Sequence, residues 1–308
     1  MRKIVFTGLD NSGKTSIIKA LQSSSGIIPS LKPTTGVERE EFRFLDYAVV
    51  HHDLGGQKKY LIKYLAQPDK YFAETDVCIY VIDIQDIGRF QETLKYFDDL
   101  LNTFIALRIK PAIYVFFHKS EYIIQHGDVD GERNVGILQG RINESNAERF
   151  KVEFCITTVY DVFSISSSFS TILQNLYPPK ELINKTMGQL ANDLNAQAIV
   201  LFDEHIIPLA KFLRDESYYS LIQFFGPYFF TFDQASKLSP IKTKKMKLQI
   251  EGYEFIFLEL KETKPSLYLL ILGNYGLLPA LDQVDRLFEY LPQLMIAFSL
   301  SPDELQET

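Results

Sequence analysis

The sequence predicts two structural classes in one chain. The first is an α/β unit with a mostly parallel sheet and helices on both faces; the second is an α+β unit. Three observations lead there. The chain has 308 residues, about twice the commonest size for a single core. Its first half alternates short apolar runs with segments of helical periodicity. Tyr177-Pro178-Pro179 then ends a helix and stiffens the chain after it, and beyond that point the order of elements changes. The expected division is 1–178 and 179–308.

The elements run in this order. Lys3–Thr7 is an apolar strand, leading through a Gly-rich turn to a helix over Lys14–Ser23. Glu41–Asp46 and Tyr47–Asp53 alternate polar and apolar residues, as a hairpin does. Val77–Ile82 is continuously apolar and suits a strand buried on both faces. Leu94, Phe97, Leu100, Leu101 and Phe104 recur at helical spacing within Phe90–Leu107. Ala112–Phe117 and Val152–Thr157 are further strands. The polar, Gly/Asp-rich segment from Ile123 to Asn134 reads as a surface loop before a helix reaching about Phe150. Ser164–Leu176 is the last helix of the first part.

After the proline pair come a helix over Glu181–Leu194 and a strand over Ala198–Phe202. An aromatic helical stretch over Ser217–Ala235 is expected to kink or break at Gly226-Pro227. Three strands come next, Met246–Ile250, Tyr253–Leu260 and Ser266–Leu272, and then a helix after Pro279. That order predicts an antiparallel sheet with helices on its faces.

Composition excludes several classes. Net charge is −7, split as −2 before Pro179 and −5 after it, which disfavours a general nucleic-acid binder. Two cysteines, Cys78 and Cys155, cannot form a disulfide framework, so a reducing, cytoplasmic setting is expected. No apolar stretch reaches the roughly 18–20 residues of a membrane span. Arg2 offers no myristoylation glycine, and Leu305–Thr308 offers no prenylation cysteine. Membrane attachment is therefore expected only through a partner.

Chemistry concentrates in the first part. Gly8-Leu9-Asp10-Asn11-Ser12-Gly13-Lys14-Thr15 fits G-x4-G-K-[ST] between a strand and a helix. Backbone N–H groups over Asn11, Ser12, Gly13, Lys14, Thr15 and Ser16 are candidates to cradle phosphates. Lys14 supplies positive charge to the β- and γ-phosphates, and the Thr15 hydroxyl suits Mg²⁺. Asp53-Leu54-Gly55-Gly56-Gln57 ends the third strand. Asp53 suits a Mg²⁺-bound water, the Gly56 N–H a γ-phosphate, and Gln57 the orientation of an attacking water. In Lys32-Pro33-Thr34-Thr35-Gly36, Thr34, with Thr35 as the alternative, is the candidate to complete the Mg²⁺ shell.

His118-Lys119-Ser120-Glu121 comes after a strand where guanine-reading proteins carry N-K-x-D. The Lys119 stem would cover the base, and Glu121 would accept from its N–H edge. Thr157-Thr158-Val159-Tyr160 comes after the last strand, where a backbone contact to the base is expected from Thr158 and Val159.

These motifs resemble the Arf branch of the small GTPases in G-L-D-x-x-G-K-T, P-T-x-G and D-L-G-G-Q. Other features resemble the Rag (Gtr) GTPases: the H-K-x-acidic segment, Ala66–Phe72, Thr157–Asp161 and the run Ala198–Asp203. The resemblance spans nearly the whole chain. It implies a P-loop GTPase domain that uses GTP/GDP and Mg²⁺, followed by a roadblock or longin-like domain that dimerises, with itself or a related chain. It also implies base contacts at His118, Lys119 and Glu121, and effector, activator and scaffold partners. The chain departs from the pattern at His52, where the family usually has Trp, and at Glu121, where it has Asp. The polar stretch Gln125–Asn134 looks longer than the family's loop, and there is no Arf-type amphipathic N-terminal helix.

Leu31 stands where a cis-acting arginine would be, so slow hydrolysis is expected, with a partner raising it by roughly 10³–10⁵. Two alternatives stay open on the sequence. One is a nucleotide-binding scaffold that barely hydrolyses; the other is an ATP-using P-loop enzyme. The basic run Lys242, Lys244, Lys245 and Lys247 reads as a solvated loop more readily than as a membrane contact. Phe224, Phe225, Tyr228, Phe229, Phe230 and Phe232 read as a helix core with an interface.

Overall fold

The computed structural model describes residues 2–22, 37–44, 47–54, 57–176, 180–238, 245–260 and 266–279. Two compact units emerge, one reaching Ser168 and the other beginning at Phe169. They part inside a helix, well before Pro178, which itself lies outside the described residues.

In the first unit the elements are β1 (Arg2–Thr7), α1 (Lys14–Gln22), β2 (Val37–Phe44), β3 (Tyr47–Leu54), α2 (Lys58–Ala66), α3 (Pro68–Phe72), β4 (Val77–Asp83), α4 (Phe90–Ala106), β5 (Ala112–His118), α5 (Glu121–His126), α6 (Val129–Asn146) and β6 (Val152–Ile156). α7 (Val162–Leu176) crosses into the second unit. The six strands run β2-β3-β1-β4-β5-β6. Every neighbouring pair is parallel except the β2–β3 hairpin. The continuous apolar runs now have their reason. On one face Val5, Cys78, Tyr80, Ile82, Val115 and Phe117 join a core with residues of α2, α3, α4 and α6. The alternate residues Ile4, Phe6, Ile79, Val81, Tyr114 and Phe116 are equally buried, so both faces are covered.

The segment expected to be a surface loop is helical. α5 and α6 are separated only by Gly127 and Asp128. Gly127 takes a left-handed φ of 62° and closes α5, while the Asp128 carboxylate accepts the Gly131 N–H at 3.1 Å and opens α6. The polar composition belongs to an exposed helix face; Val135, Leu138 and Ile142 point inward at helical spacing. The short helices α2 and α3 also had no separate sequence signal.

The second unit holds α8 (Lys180–Asp193), β7 (Ala198–Phe202), β8 (Pro208–Leu213), α9 (Ser217–Leu238), β9 (Lys245–Ile250), β10 (Tyr253–Leu260) and β11 (Leu267–Asn274). Its five-stranded sheet runs β8-β7-β11-β10-β9, antiparallel throughout. β8 was not anticipated: it is an edge strand opened by a proline and interrupted by Lys211, so its pattern is weak. α9 does not break at Gly226-Pro227. Phe225, Phe229 and Phe230 pack their rings on Phe255, Phe257 and Tyr268. That packing outweighs the roughly 3 kcal/mol a mid-helix proline costs.

On the far side of α9, Phe224, Tyr228 and Phe232 are exposed at i, i+4 and i+8. α8 covers the opposite sheet face, since Gly188 approaches Phe212, which pairs with Ile199 rather than with the Phe202 side. Lys245 and Lys247 lie on β9, and Lys247 pairs with the buried Glu254 at 2.7 Å. Lys242, Lys244 and the helix expected after Pro279 lie outside the described residues. Among the described residues no helix is long and apolar enough to cross a membrane.

Candidate functional site

The loop between β1 and α1 has a backbone that few sequences tolerate. Gly8, Asn11 and Gly13 take φ of 141°, 59° and 97°. A Cβ on Gly8 would stand 2.3 Å from the Val81 carbonyl oxygen, and one on Gly13 would enter the His118 ring. The glycines therefore serve both the turn and its close seating against β4 and β5. The Lys14 ammonium is buried and donates to the Gly8 and Leu9 carbonyls at 3.1 and 2.7 Å, and to Ser12 Oγ at 3.4 Å. Ser12 is buried, Thr15 and Ser16 are half-buried, and Asn11 is exposed at the tip. A loop with this curvature and a lysine at its base fits a phosphate chain.

Arg89 binds this loop from the other side. Its guanidinium pairs with Asp10 Oδ1 at 2.6 Å and donates to the Asp10 carbonyl at 3.3 Å. It also pairs with Glu92 at 2.9 Å. Arg89 lines an open cleft with Asp10, Ser12, Asp83, Asp86 and Thr93, so the phosphate loop and the end of β4 share one surface.

The base-side residues gather at the ends of β4, β5 and β6. Lys119, with a left-handed φ of 61°, pairs with Asp83 at 2.6 Å. Glu121 Oε2 accepts from Thr158 Oγ1 at 3.0 Å, and its Oε1 accepts from Gln85 Nε2 at 2.8 Å. Thr158 is buried, and its N–H already donates to Ser164 Oγ at 3.1 Å. Its backbone donor is thus taken, while Val159 is half-buried beside it.

His118, a candidate base contact, is buried, with its ring against Gly13 and its Nδ1 at 3.0 Å from Thr157 Oγ1. Burial, helped by the neighbouring Lys119 charge, lowers its pKa to about 4. A neutral imidazole therefore joins the phosphate loop to the β5–β6 end. Asp83, Gln85 and Arg89 belong to no phosphate or base motif. The one sequence signal for Asp83 is that it closes the apolar run of β4.

Gln57 begins α2. Its carbonyl accepts from the Tyr60 and Leu61 N–H groups at 2.8 and 3.1 Å, and its half-exposed side chain makes no capping bond. The backbone of Asp53 pairs with Phe6 beside the phosphate loop, while its side chain lies outside what the structure describes. Thr34, Thr35 and Gly56 also lie outside the described residues.

The model of the Gtr1/RagA G protein conserved region matches residues 3–218. The chain belongs to the Gtr1/RagA G-protein family. The family match continues past the phosphate loop and base segment, through β7 and β8 to the start of α9. Among curated relatives, ADP-ribosylation factor-like protein 2 of Dictyostelium discoideum is 36% identical over 90 residues, 29% of this chain and 46% of that protein. ADP-ribosylation factor-like protein 6 of Danio rerio is 33% identical over 99 residues, 32% of this chain and 51% of that protein. This Gtr1/RagA chain thus spans about half the length of the curated relatives it matches. The solved Arl6 BBS3 small GTPase from Trypanosoma brucei, with the bound nucleotide analogue GppNp, aligns at a TM-score of 0.45 and 21% identity. That alignment covers 56% of this chain and 96% of the other. The mammalian SRP receptor structure aligns at a TM-score of 0.42 and 15% identity, over 52% and 92%. Membership in a G-protein family implies guanine-nucleotide binding.

Proposed function

We propose that this protein is a regulatory switch that binds GTP and GDP with Mg²⁺, hydrolyses GTP slowly and changes partner binding with the nucleotide state. One observation carries the reading. The phosphate loop and the Lys119–Glu121–Thr158 cluster meet at the same end of one parallel sheet, joined through His118. In open α/β sheets, ligands bind outside the carboxyl ends of the strands.

In this reading, loop N–H groups and Lys14 hold the phosphates, and Lys119 and Glu121 hold the base. Thr15, Thr34 and Asp53 are the residues that would hold Mg²⁺ directly or through water, and the ion would supply positive charge against the phosphates. Thr15, described at the start of α1, is an oxygen donor of the type Mg²⁺ takes. Gln57, at the entry to α2, orients the attacking water. Leu31 in the cis-arginine position supports slow turnover that a partner accelerates by roughly 10³–10⁵. Thr34 and Gly56 would hold two segments to the γ-phosphate and release them on its loss.

The second unit is the assembly module, roadblock- or longin-like, and dimerises with itself or with a related chain. Its antiparallel sheet with helices on opposite faces and the exposed stripe Phe224, Tyr228 and Phe232 support that role. Recruitment to a membrane surface from the cytoplasm is then the work of partners. The experiment is direct: identify the nucleotide that co-purifies with the full chain, then measure γ-phosphate loss over time in a single turnover. GTP or GDP with slow loss is the expected result; ATP or no nucleotide overturns the reading.

A further inference from the structure

The expected base-reading carboxylate is held by a residue outside every recognised motif. Gln85 lies two positions beyond the end of β4. Its amide nitrogen reaches the Lys119 carbonyl at 2.8 Å and Glu121 Oε1 at 2.8 Å. The second oxygen of the same carboxylate accepts from Thr158 Oγ1 at 3.0 Å. The two oxygens of one glutamate are thus gripped from two different strand ends, β4 and β6.

The grip answers a difficulty posed by the sequence. Glu121 carries one methylene more than the aspartate of N-K-x-D, and so one more rotatable bond. An unrestrained glutamate spreads over several rotamers and loses that freedom on meeting a ligand. Here two donors select one position in advance. An amide NH₂ has two donors. At Gln85 one goes to the backbone turn at Lys119 and the other to the carboxylate, so turn and carboxylate are registered to each other. Each carboxylate oxygen has two acceptor positions. With one used by Gln85 and one by Thr158, each oxygen retains one, which matches two parallel N–H donors such as guanine N1–H and N2–H.

We infer that Gln85 is a positioning residue for base selection, setting the longer Glu121 carboxylate where the paired donors of guanine meet it. The inference rests on the guanine-nucleotide reading above. Gln85 acts through Glu121 and is itself exposed, so its replacement spares the core.

The test uses the full chain, stripped of nucleotide, with dissociation constants for GDP, ADP and inosine diphosphate, which lacks the 2-amino group. The variants are Gln85→Leu, Glu121→Asp and the double substitution, with thermal melting as the check on folding. The wild-type protein should prefer GDP to inosine diphosphate. Gln85→Leu should reduce that preference about tenfold, with melting unchanged. In the Glu121→Asp background the shorter carboxylate no longer reaches Gln85, so Gln85→Leu should change the preference by less than about twofold. An unchanged preference in Gln85→Leu overturns the inference. So does an equal change in both backgrounds, because the amide would then act through the Lys119 carbonyl alone. A wild-type protein without preference for GDP over ADP instead removes the guanine reading itself, and that result is read before any variant is made.

Discussion

The two ends of the candidate site are built by opposite strategies. The phosphate end is one contiguous loop, Gly8–Thr15, whose shape comes from its own glycines and from the strand and helix it joins. The base end is assembled from three separate strand ends: Asp83 closing β4 and Gln85 after it, Lys119 and Glu121 after β5, and Thr158 after β6. Among the described residues His118 joins them, its ring against Gly13 and its Nδ1 on Thr157, while Arg89 holds the outer side of the phosphate loop through Asp10. A contiguous loop binds whatever carries phosphates. A surface assembled from three strands would, on the proposed reading, select among bases only while the sheet keeps its register.

The sharpest way to break this contrast is at the phosphate end. Lys14→Ala removes the one ammonium in the loop and should weaken binding of GDP and ADP alike, by about 10³-fold. Titration with both nucleotides checks it; a loss confined to one base would blur the distinction between the ends. Gln57→Leu should slow γ-phosphate loss by about 10²-fold and leave GDP affinity unchanged, as single-turnover and binding assays would show.

The joint at His118 is tested by pH. Its folded pKa, about 4, lies below the ordinary imidazole value of 6.5. Between those values the unfolded chain takes up a proton that the folded chain refuses, so stability is full above pH 6.5 and falls with acid down to about 4. The loss from this one group reaches about 3 kcal/mol. Denaturant midpoints across that window should flatten in His118→Asn; an identical slope in the variant would remove His118 from the account. The smallest effect belongs to Arg89→Ala. The Arg89–Asp10 pair is partly exposed, so stability should change by less than about 1 kcal/mol. Phosphate affinity should change about two- to fivefold, because only the outer side of the loop is released. Larger losses would make Arg89 part of the phosphate site proper.

Much of the first unit was legible because buried parallel strands announce themselves as apolar runs. Val77–Ile82 and Ala112–Phe117 correspond closely to β4 and β5. The region from Ile123 to Asn134 was not, because an exposed helix face and a loop share one composition. The difference between them is a cap, Asp128 to Gly131, that depends on local geometry. β8 and the unbroken α9 escaped for another reason. An edge strand has half its partners, and a proline in a helix is tolerated once aromatic packing holds both sides.

By itself the sequence determined the phosphate loop, the order of most strands and the family. Each of these depends on residues close together in the chain: glycines that permit a turn, a lysine at a set spacing, periodicities of two and of 3.6. Only the tertiary structure decided that Glu121 is held by Gln85 and Thr158, that His118 faces Gly13 rather than solvent, and that Arg89 reaches Asp10. Those contacts join residues 36, 37 and 79 positions apart for Gln85–Glu121, Glu121–Thr158 and Arg89–Asp10. No local spacing encodes such pairs; sheet register brings them together, and register is set by the packing of the whole core.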